Sequence, residues 1–162
     1  MKLSLEISVQ SALWRGLPKA RSMAREAIDA CVAETGVSAL EGLEVSLLLA
    51  DDARLRTLNA NWRGLDRPTN VLSFPASSRE RLSGARFLGD IAIAYETVVR
   101  EAEAAGEATV DYYRRLIVHG FLHLIGYDHQ TDEEAERMEG LERRIFARLG
   151  VRDPYGEQAL AE

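Results

Sequence analysis

The chain of 162 residues has little of what marks secreted or membrane proteins. Its one cysteine, Cys31, excludes an internal disulfide framework and suits a reducing compartment. The amino-terminal residues alternate apolar and polar side chains and lack the continuous apolar core of a signal peptide. The longest nearly apolar run, residues 116–127, contains two histidines and is too short to span a bilayer. We therefore expect a cytoplasmic protein with no membrane association.

Repeats, low-complexity tracts and long linkers are also missing from the sequence. A hydrophobic fraction of 46% and a charged fraction of 28% are typical of a globular protein, and the length fits one domain. We expect residues 1–155 to form a single domain and residues 156–162 to form a short carboxy-terminal tail.

The hydrophobic periodicity predicts an α+β domain. Strands are predicted at residues 3–9, 43–50, 70–74 and 90–95, the last of them central in the sheet because it is apolar on both sides. Helices are predicted at residues 18–35, 96–105, 109–125 and 131–149, and a further short helix is predicted to follow a cap at Asp51 or Asp52. A mobile loop is predicted at residues 76–86. We expect a small mixed β-sheet packed against about five helices, with a strand order that the sequence does not reveal.

The net charge of −6 argues against general binding of nucleic acid. Residues 54–86 nevertheless hold seven arginines against two carboxylates, a local balance of +5. These arginines either form a local patch that binds anions or are scattered over different faces. On charge alone, scattered arginines are slightly favoured.

All three histidines lie in one window of eleven residues, His-Gly-Phe-Leu-His-Leu-Ile-Gly-Tyr-Asp-His at 119–129. His119 and His123 are four residues apart and therefore project from one face of a helix. A helix continued to His129 would carry that imidazole out of reach, but Gly126 can take the left-handed conformation that ends helices. The chain can then reverse, so we expect the three imidazoles to bind one metal ion on a central helix and its following turn.

Three imidazoles and a water molecule are the composition of an open, catalytic zinc site. Structural zinc sites have four protein ligands, and Cys31 lies on the inner stripe of a helix, where we expect it to pack as a small hydrophobic residue. We predict one zinc ion per chain, although other first-row divalent metals also fit three histidines. Such an ion activates bound water and polarises a carbonyl or phosphoryl oxygen, which predicts a hydrolase.

Gly120 stands where zinc peptidases of the His-Glu-x-x-His type carry their glutamate base. Asp128 is the carboxylate within the motif, and three roles remain open for it: orienting a ligand histidine, accepting a proton, or capping its own turn. Ser73 is not expected to act as a nucleophile, because no histidine remains to activate it.

A second informative segment runs through residues 59–75. Trp62 could stack on a base, but packing in the core beneath the loop is the favoured interpretation. Arg63 could bind a phosphate in bidentate fashion and stabilise charge on a phosphoryl group, or it could be a solvated loop arginine.

These segments together resemble the YbeY family of bacterial rRNA-maturation endoribonucleases. The family's metal motif has the form H-G-x-L-H-L-x-G-Y-D-H, which residues 119–129 match with phenylalanine and isoleucine at the variable positions. A second family stretch matches Arg63 and Arg67 through Pro75, and the family's G-D-I tripeptide matches Gly89, Asp90 and Ile91.

The resemblance implies a single-domain, zinc-dependent endoribonuclease that cuts single-stranded RNA. By the same resemblance it matures the 3′ end of the small-subunit ribosomal RNA and takes part in ribosome quality control. It also implies that His119, His123 and His129 bind the metal and that Arg63 is required for activity. The implied partners are small-subunit ribosomal proteins and an assembly GTPase.

Two alternatives remain. One is a zinc peptidase or other metallohydrolase, against which Gly120 and the basic middle segment weigh. The other is a ribosome-assembly factor that binds RNA without cutting it and uses the metal only to stabilise a helix end. The sequence does not identify the physiological metal, the nucleophile, the cleavage position or the oligomeric state.

Overall fold

A computed structural model describes residues 4–36, 44–64, 70–75, 87–127 and 130–151, without the side chains of Arg63, Pro75 and Phe87. The strands in these ranges are β1 (Ser4–Val9), β2 (Glu44–Ala50), β3 (Val71–Pro75) and β4 (Phe87–Ala94). The α-helices there are α1 (Ala20–Thr35), α2 (Asp52–Arg63), α3 (Tyr95–Ala105), α4 (Thr109–Leu124) and α5 (Asp132–Leu149).

The strands form one mixed sheet in the order β1-β2-β4-β3. The first three of these are parallel, and β3 runs antiparallel to β4. The predicted α+β fold, with a small mixed sheet and about five helices, is confirmed. The central position predicted for the last strand is confirmed too, since β4 lies between β2 and β3.

The two faces of the sheet are covered unequally. Helices α1, α4 and α5 build the larger core against one face, where Val45, Leu47, Ile91 and Ile93 are buried. Helix α2 covers part of the other face with a smaller cluster of buried residues, namely Ala50, Leu55, Leu72, Ala92 and Ala94. Successive residues of one strand thus pack against helices on opposite faces of the sheet, because side chains alternate between the two faces along a strand.

The helix caps follow the sequence closely. Asp51 accepts a hydrogen bond from the backbone N–H of Arg54 at 2.9 Å and opens α2, and Thr131 accepts one from Glu134 at 3.1 Å and opens α5. Both caps satisfy a helix N–H that has no partner within its own helix. The predicted starts of these two helices are confirmed.

The structure differs from the prediction at two places outside the site. A short 3-10 helix, Ala12–Gly16, buries Trp14, whose indole N–H donates to the carbonyl oxygen of Ala50 at 2.8 Å. Strand β4 also begins at Phe87 rather than 90, because an irregularity at Gly89 (φ 145°) lets pairing with β2 continue past it. Neither feature could be predicted from hydrophobic periodicity, because the sequence of neither segment shows a regular apolar pattern.

No helix in the described ranges is both long and apolar enough to cross a membrane. The predicted loop at 76–86 and the predicted tail at 156–162 lie outside the described residues.

Candidate metal centre and its surroundings

Helix α4 is the central helix, and it packs on β3 and β4 as well as on α1, α3 and α5. It ends at Leu124, and Gly126 follows with a φ of 102°. The N–H of Tyr127 returns to the carbonyl of Leu122 at 3.0 Å, and the N–H of Gly126 binds the carbonyl of His123 at 3.1 Å. The predicted end of the helix at Gly126 is confirmed, and the chain leaves the helix axis within three residues of the second histidine.

His119 and His123 present their rings to each other at the carboxyl end of α4. Their Nε2 atoms are 3.0 Å apart, and the ring centroids are separated by 4.4 Å at an interplanar angle of 78°. Two nitrogens bound to one tetrahedral zinc at about 2.0–2.1 Å would be roughly 3.3 Å apart. The pair therefore fits two adjacent positions of one metal ion after a small adjustment.

The other residues predicted for the metal centre are not among the residues that the structure describes. Asp128 and His129 lie outside the described residues, as does Arg67. Among the residues that are described, no group of three or more histidine, cysteine, aspartate or glutamate side chains is arranged to hold a metal ion. The described part of the site thus consists of two imidazoles, and the third ligand stays a prediction.

Gly120 faces the sheet at a close approach of α4. A Cβ atom added there would lie 3.1 Å from Ser73 Oγ and 3.2 Å from Ile91 Cγ2. Ser73 Oγ itself donates to the carbonyl oxygen of Gly120 at 3.1 Å, so this hydroxyl fastens β3 to the helix. A side chain in place of this glycine would therefore crowd the packing of α4 on the sheet, and Ser73 is occupied as a structural donor.

Glu142 is a buried acidic residue that the sequence analysis missed. It lies on α5 and is 4% exposed, and its Oε2 is 3.5 Å from Nδ1 of His119. The sequence does indicate this residue as unusual, because Glu142 falls on the same inner stripe of α5 as Met138, Leu141 and Ile145, where an apolar residue is expected.

Cys31 also lies in this region and is fully buried on α1. Burial, reinforced by the negative charge of Glu142, raises the pKa of the Cys31 thiol far above its ordinary value. Because the thiolate is the form that binds metal, this cysteine stays a neutral packing residue. The prediction that Cys31 packs as a small hydrophobic residue is confirmed.

The favoured interpretation of Trp62 as a core residue is wrong. Its side chain is 72% exposed, and its ring lies 6.1 Å from that of Phe74 at a tilt of 56°. Position 62 lies seven residues after Leu55, on the same face of α2, but in the last turn of the helix, where its ring meets Phe74 at the margin of the smaller core cluster. An exposed indole therefore stands beside Arg63, the last residue of α2.

A hydrogen-bonded network holds the start of β3. Asn70 donates to Glu101 Oε1 at 2.7 Å, and the Tyr112 hydroxyl donates to the same oxygen at 2.8 Å. Burial, and then this bond to Glu101, raise the pKa of Tyr112 to about 12, so the phenol remains a donor at neutral pH. The network ties the segment that follows the predicted arginines to α3 and to the histidine-bearing helix.

Comparison with known proteins extends the likeness beyond the motifs. The profile of the family described as Endoribonuclease YbeY matches residues 11–150. A protein of that name from Rhodopseudomonas palustris (strain BisA53) is 50% identical over 160 residues, which cover 97% of this chain and 92% of the relative. Another from Bradyrhizobium diazoefficiens is 47% identical over 157 residues, covering 94% and 85%.

The fold has a solved counterpart as well. The solution structure of TM1509 from Thermotoga maritima aligns with a TM-score of 0.56 and 22% identity, covering 90% of this chain and 91% of that one. At that identity the likeness concerns the fold alone. The sequence match spans the sheet, the close approach at Gly120 and the histidine pair, and on that match this chain belongs to the endoribonuclease YbeY family.

Proposed function

We propose that this protein is a metal-dependent endoribonuclease that cuts single-stranded RNA during ribosomal RNA maturation. The observation that carries the proposal is the convergence of two imidazole Nε2 atoms, 3.0 Å apart, at the end of a helix in a member of an endoribonuclease family. The proposed substrate is the 3′ end of the small-subunit ribosomal RNA, with a further role in ribosome quality control. Small-subunit ribosomal proteins and an assembly GTPase are the proposed partners.

The proposed ligands of a zinc ion are His119, His123 and His129. The reversal at Gly126 supports the third ligand, because the chain leaves the helix axis only three residues before it. The position at the carboxyl end of α4 also favours a cation, since helix dipoles are negative there. A bound ion supplies Lewis acidity towards a phosphoryl oxygen and an activated water molecule.

The remaining proposed roles belong to the chain's own side chains. Arg63, at the end of α2, holds the equatorial oxygens of the phosphoryl group on which negative charge grows. The exposed ring of Trp62 offers a stacking surface for an unpaired base. For Asp128, the same three roles remain open: orienting a ligand histidine, accepting a proton, and capping its own turn. Single-stranded RNA suits these groups because its bases are free to stack.

The peptidase alternative is disfavoured by Gly120. The Cβ of a glutamate at this position would lie 3.1 Å from Ser73 Oγ and 3.2 Å from Ile91 Cγ2, so the peptidase base would have to displace contacts that pack α4 on the sheet.

Removal of the metal is the test of the proposed activity. We expect the zinc-containing protein to cut an unstructured RNA oligonucleotide, leaving a duplex of the same sequence and an unstructured peptide intact. Dialysis against a chelator should reduce cleavage to background, and added zinc should restore it. The cut ends then identify the nucleophile: a 2′,3′-cyclic phosphate indicates the RNA 2′-hydroxyl, and a 5′-phosphate indicates water.

Two outcomes would contradict the proposal. Intact RNA with metal-replete protein, together with a melting temperature lowered by chelation, would identify an assembly factor with a structural metal. Cleavage of the peptide without cleavage of RNA would identify a peptidase.

Replacing Trp62 by alanine is expected to weaken binding of single-stranded RNA by roughly five- to 150-fold, since stacking contributes about 1–3 kcal/mol per base. Trp62→Phe keeps an aromatic ring and should retain most of the affinity. Leu13→Ala removes another exposed apolar side chain, 45% exposed, and serves as the matched control. Fluorescence anisotropy with a labelled oligonucleotide at fixed salt measures the change. Equal affinities for wild type and Trp62→Ala would remove this residue from the RNA path.

A further inference from the structure

Glu142 is the one acidic residue among the polar residues of the described ranges that are buried as a whole. It is flanked on the inner stripe of α5 by Leu141 and Ile145, which are 4% and 0% exposed. Removing a carboxylate from water is costly unless a partner compensates for the lost hydration. A buried glutamate at an apolar position of an amphipathic helix therefore requires a reason beyond packing.

Glu142 contacts the first histidine of the pair. Its Oε2 lies 3.5 Å from Nδ1 of His119, and the side chain of Glu142 is 5% exposed. A shift of about 0.6 Å would close this distance to a charge-assisted hydrogen bond of about 2.9 Å. The carboxylate lies where α1, α4 and α5 meet, so water competes poorly for it.

The two ring nitrogens of His119 consequently face different groups. Nδ1 faces a carboxylate, and Nε2 faces Nε2 of His123 at 3.0 Å. A neutral imidazole carries one N–H and one lone pair, and an ionised carboxylate only accepts hydrogen bonds. The proton of His119 therefore belongs on Nδ1, and the lone pair belongs on Nε2, the atom that faces the second imidazole.

We propose that Glu142 is a positioning residue for the metal centre, which fixes His119 in the tautomer and ring orientation that leave Nε2 free to bind an ion. This inference rests on the proposed metal site. Carboxylates that accept the second ring N–H of a metal-bound histidine orient the ring and increase its basicity, and their loss lowers metal affinity by about 10- to 100-fold. Glu142 is not itself a ligand, because it contacts the ring on the Nδ1 side.

Zinc affinity measured by competition with a chromogenic chelator tests the inference. Glu142→Met, which has a similar length and no acceptor, is expected to bind zinc about 10- to 100-fold more weakly than wild type. Glu142→Gln keeps a carbonyl acceptor without the charge, so we expect a loss of less than about tenfold. Glu136→Gln changes an exposed glutamate on the same helix and should leave the affinity unchanged.

The tautomer of His119 provides a second measurement, because a Glu142 that only stabilised the fold would leave this tautomer unchanged when replaced. Imidazole ¹⁵N shifts of the metal-free protein, followed to a pH above which they no longer change, should show the Nδ1–H form in wild type. Glu142→Met should shift His119 towards the Nε2–H form, and Glu142→Gln should retain Nδ1–H. Thermal melts of each variant establish that it is folded.

The outcomes separate this inference from the proposed function. If wild type binds no zinc, the metal site itself is wrong and the inference falls with it. If wild type binds zinc, His119→Ala does not, and folded Glu142→Met binds like wild type, only the role of Glu142 is overturned. If Glu142→Met does not fold, the wild-type spectrum decides: Nδ1–H supports the inference, and Nε2–H overturns it.

Discussion

Replacing His119 by alanine is expected to abolish zinc binding and to slow RNA cleavage by at least about 1,000-fold. A metal ion contributes several kcal/mol of transition-state stabilisation, and each loss of about 1.4 kcal/mol slows a reaction tenfold. The substitution removes one of the two nitrogens that meet at the end of α4. His123 is then the remaining metal ligand on this helix, and an ion that is bound this weakly dissociates on dilution.

Single-turnover cleavage of a labelled oligonucleotide, with metal content measured on the same samples, quantifies this loss. Tyr112→Phe is the control for stability, because Tyr112 lies on the same helix as the histidines. The substitution removes the hydrogen bond to Glu101 of α3, costs about 1 kcal/mol, and leaves both imidazoles in place. We expect Tyr112→Phe to cleave at nearly the wild-type rate. A folded His119→Ala protein that cuts RNA as fast as wild type would refute the metal-dependent mechanism.

The parts of the site that the sequence predicted depend on neighbours along the chain. A spacing of four residues places two histidines on one helix face whatever the rest of the fold does, and Gly126 ends the helix through its own backbone preference. The caps at Asp51 and Thr131 are equally local. These features could be predicted because the physical cause and the effect lie within a few residues.

The parts that the sequence did not predict depend on contacts across the fold. Trp62 is apolar and was expected in the core, but it lies in the last turn of α2, at the margin of the smaller cluster, and its indole is exposed. The contact of Glu142 with His119 joins two different helices, α5 and α4, and depends on how these helices pack against each other. The strand order is equally non-local, since β3 reverses direction and pairs at the outer edge of β4.

Gly120 combines both kinds of information. The sequence identifies it as the residue that stands in place of the peptidase base, and the structure gives the cause, which is the close approach of α4 to β3 and β4. Its neighbour His119 lies on another side of α4 and contacts Glu142 on α5 at 3.5 Å, so packing on the sheet and the histidine site use adjacent residues of one helix.

Gly120→Glu should consequently destabilise the protein by about 4 kcal/mol or more. The Cβ alone would lie 3.1 Å from Ser73 Oγ, 3.2 Å from Ile91 Cγ2 and 3.4 Å from Val71 Cγ2, and the carboxylate would be buried without a designed partner. Overpacking costs about 1–3 kcal/mol, and a buried, uncompensated charge costs several more. For a domain of this size, the expected fall in melting temperature is roughly 10 °C or more.

Gly140→Glu is the matched control for this substitution. Gly140 also lies within a helix, α5, but a Cβ added there would meet nothing within 4 Å. Because glutamate is a better helix former than glycine, this variant should melt at or slightly above the wild-type temperature. Circular dichroism melts of the two variants measure the difference, and a peptide assay on both tests for gained hydrolysis. A Gly120→Glu protein that melts like wild type and cleaves peptides would show that the glycine is not needed for packing and that the site accepts a peptidase base.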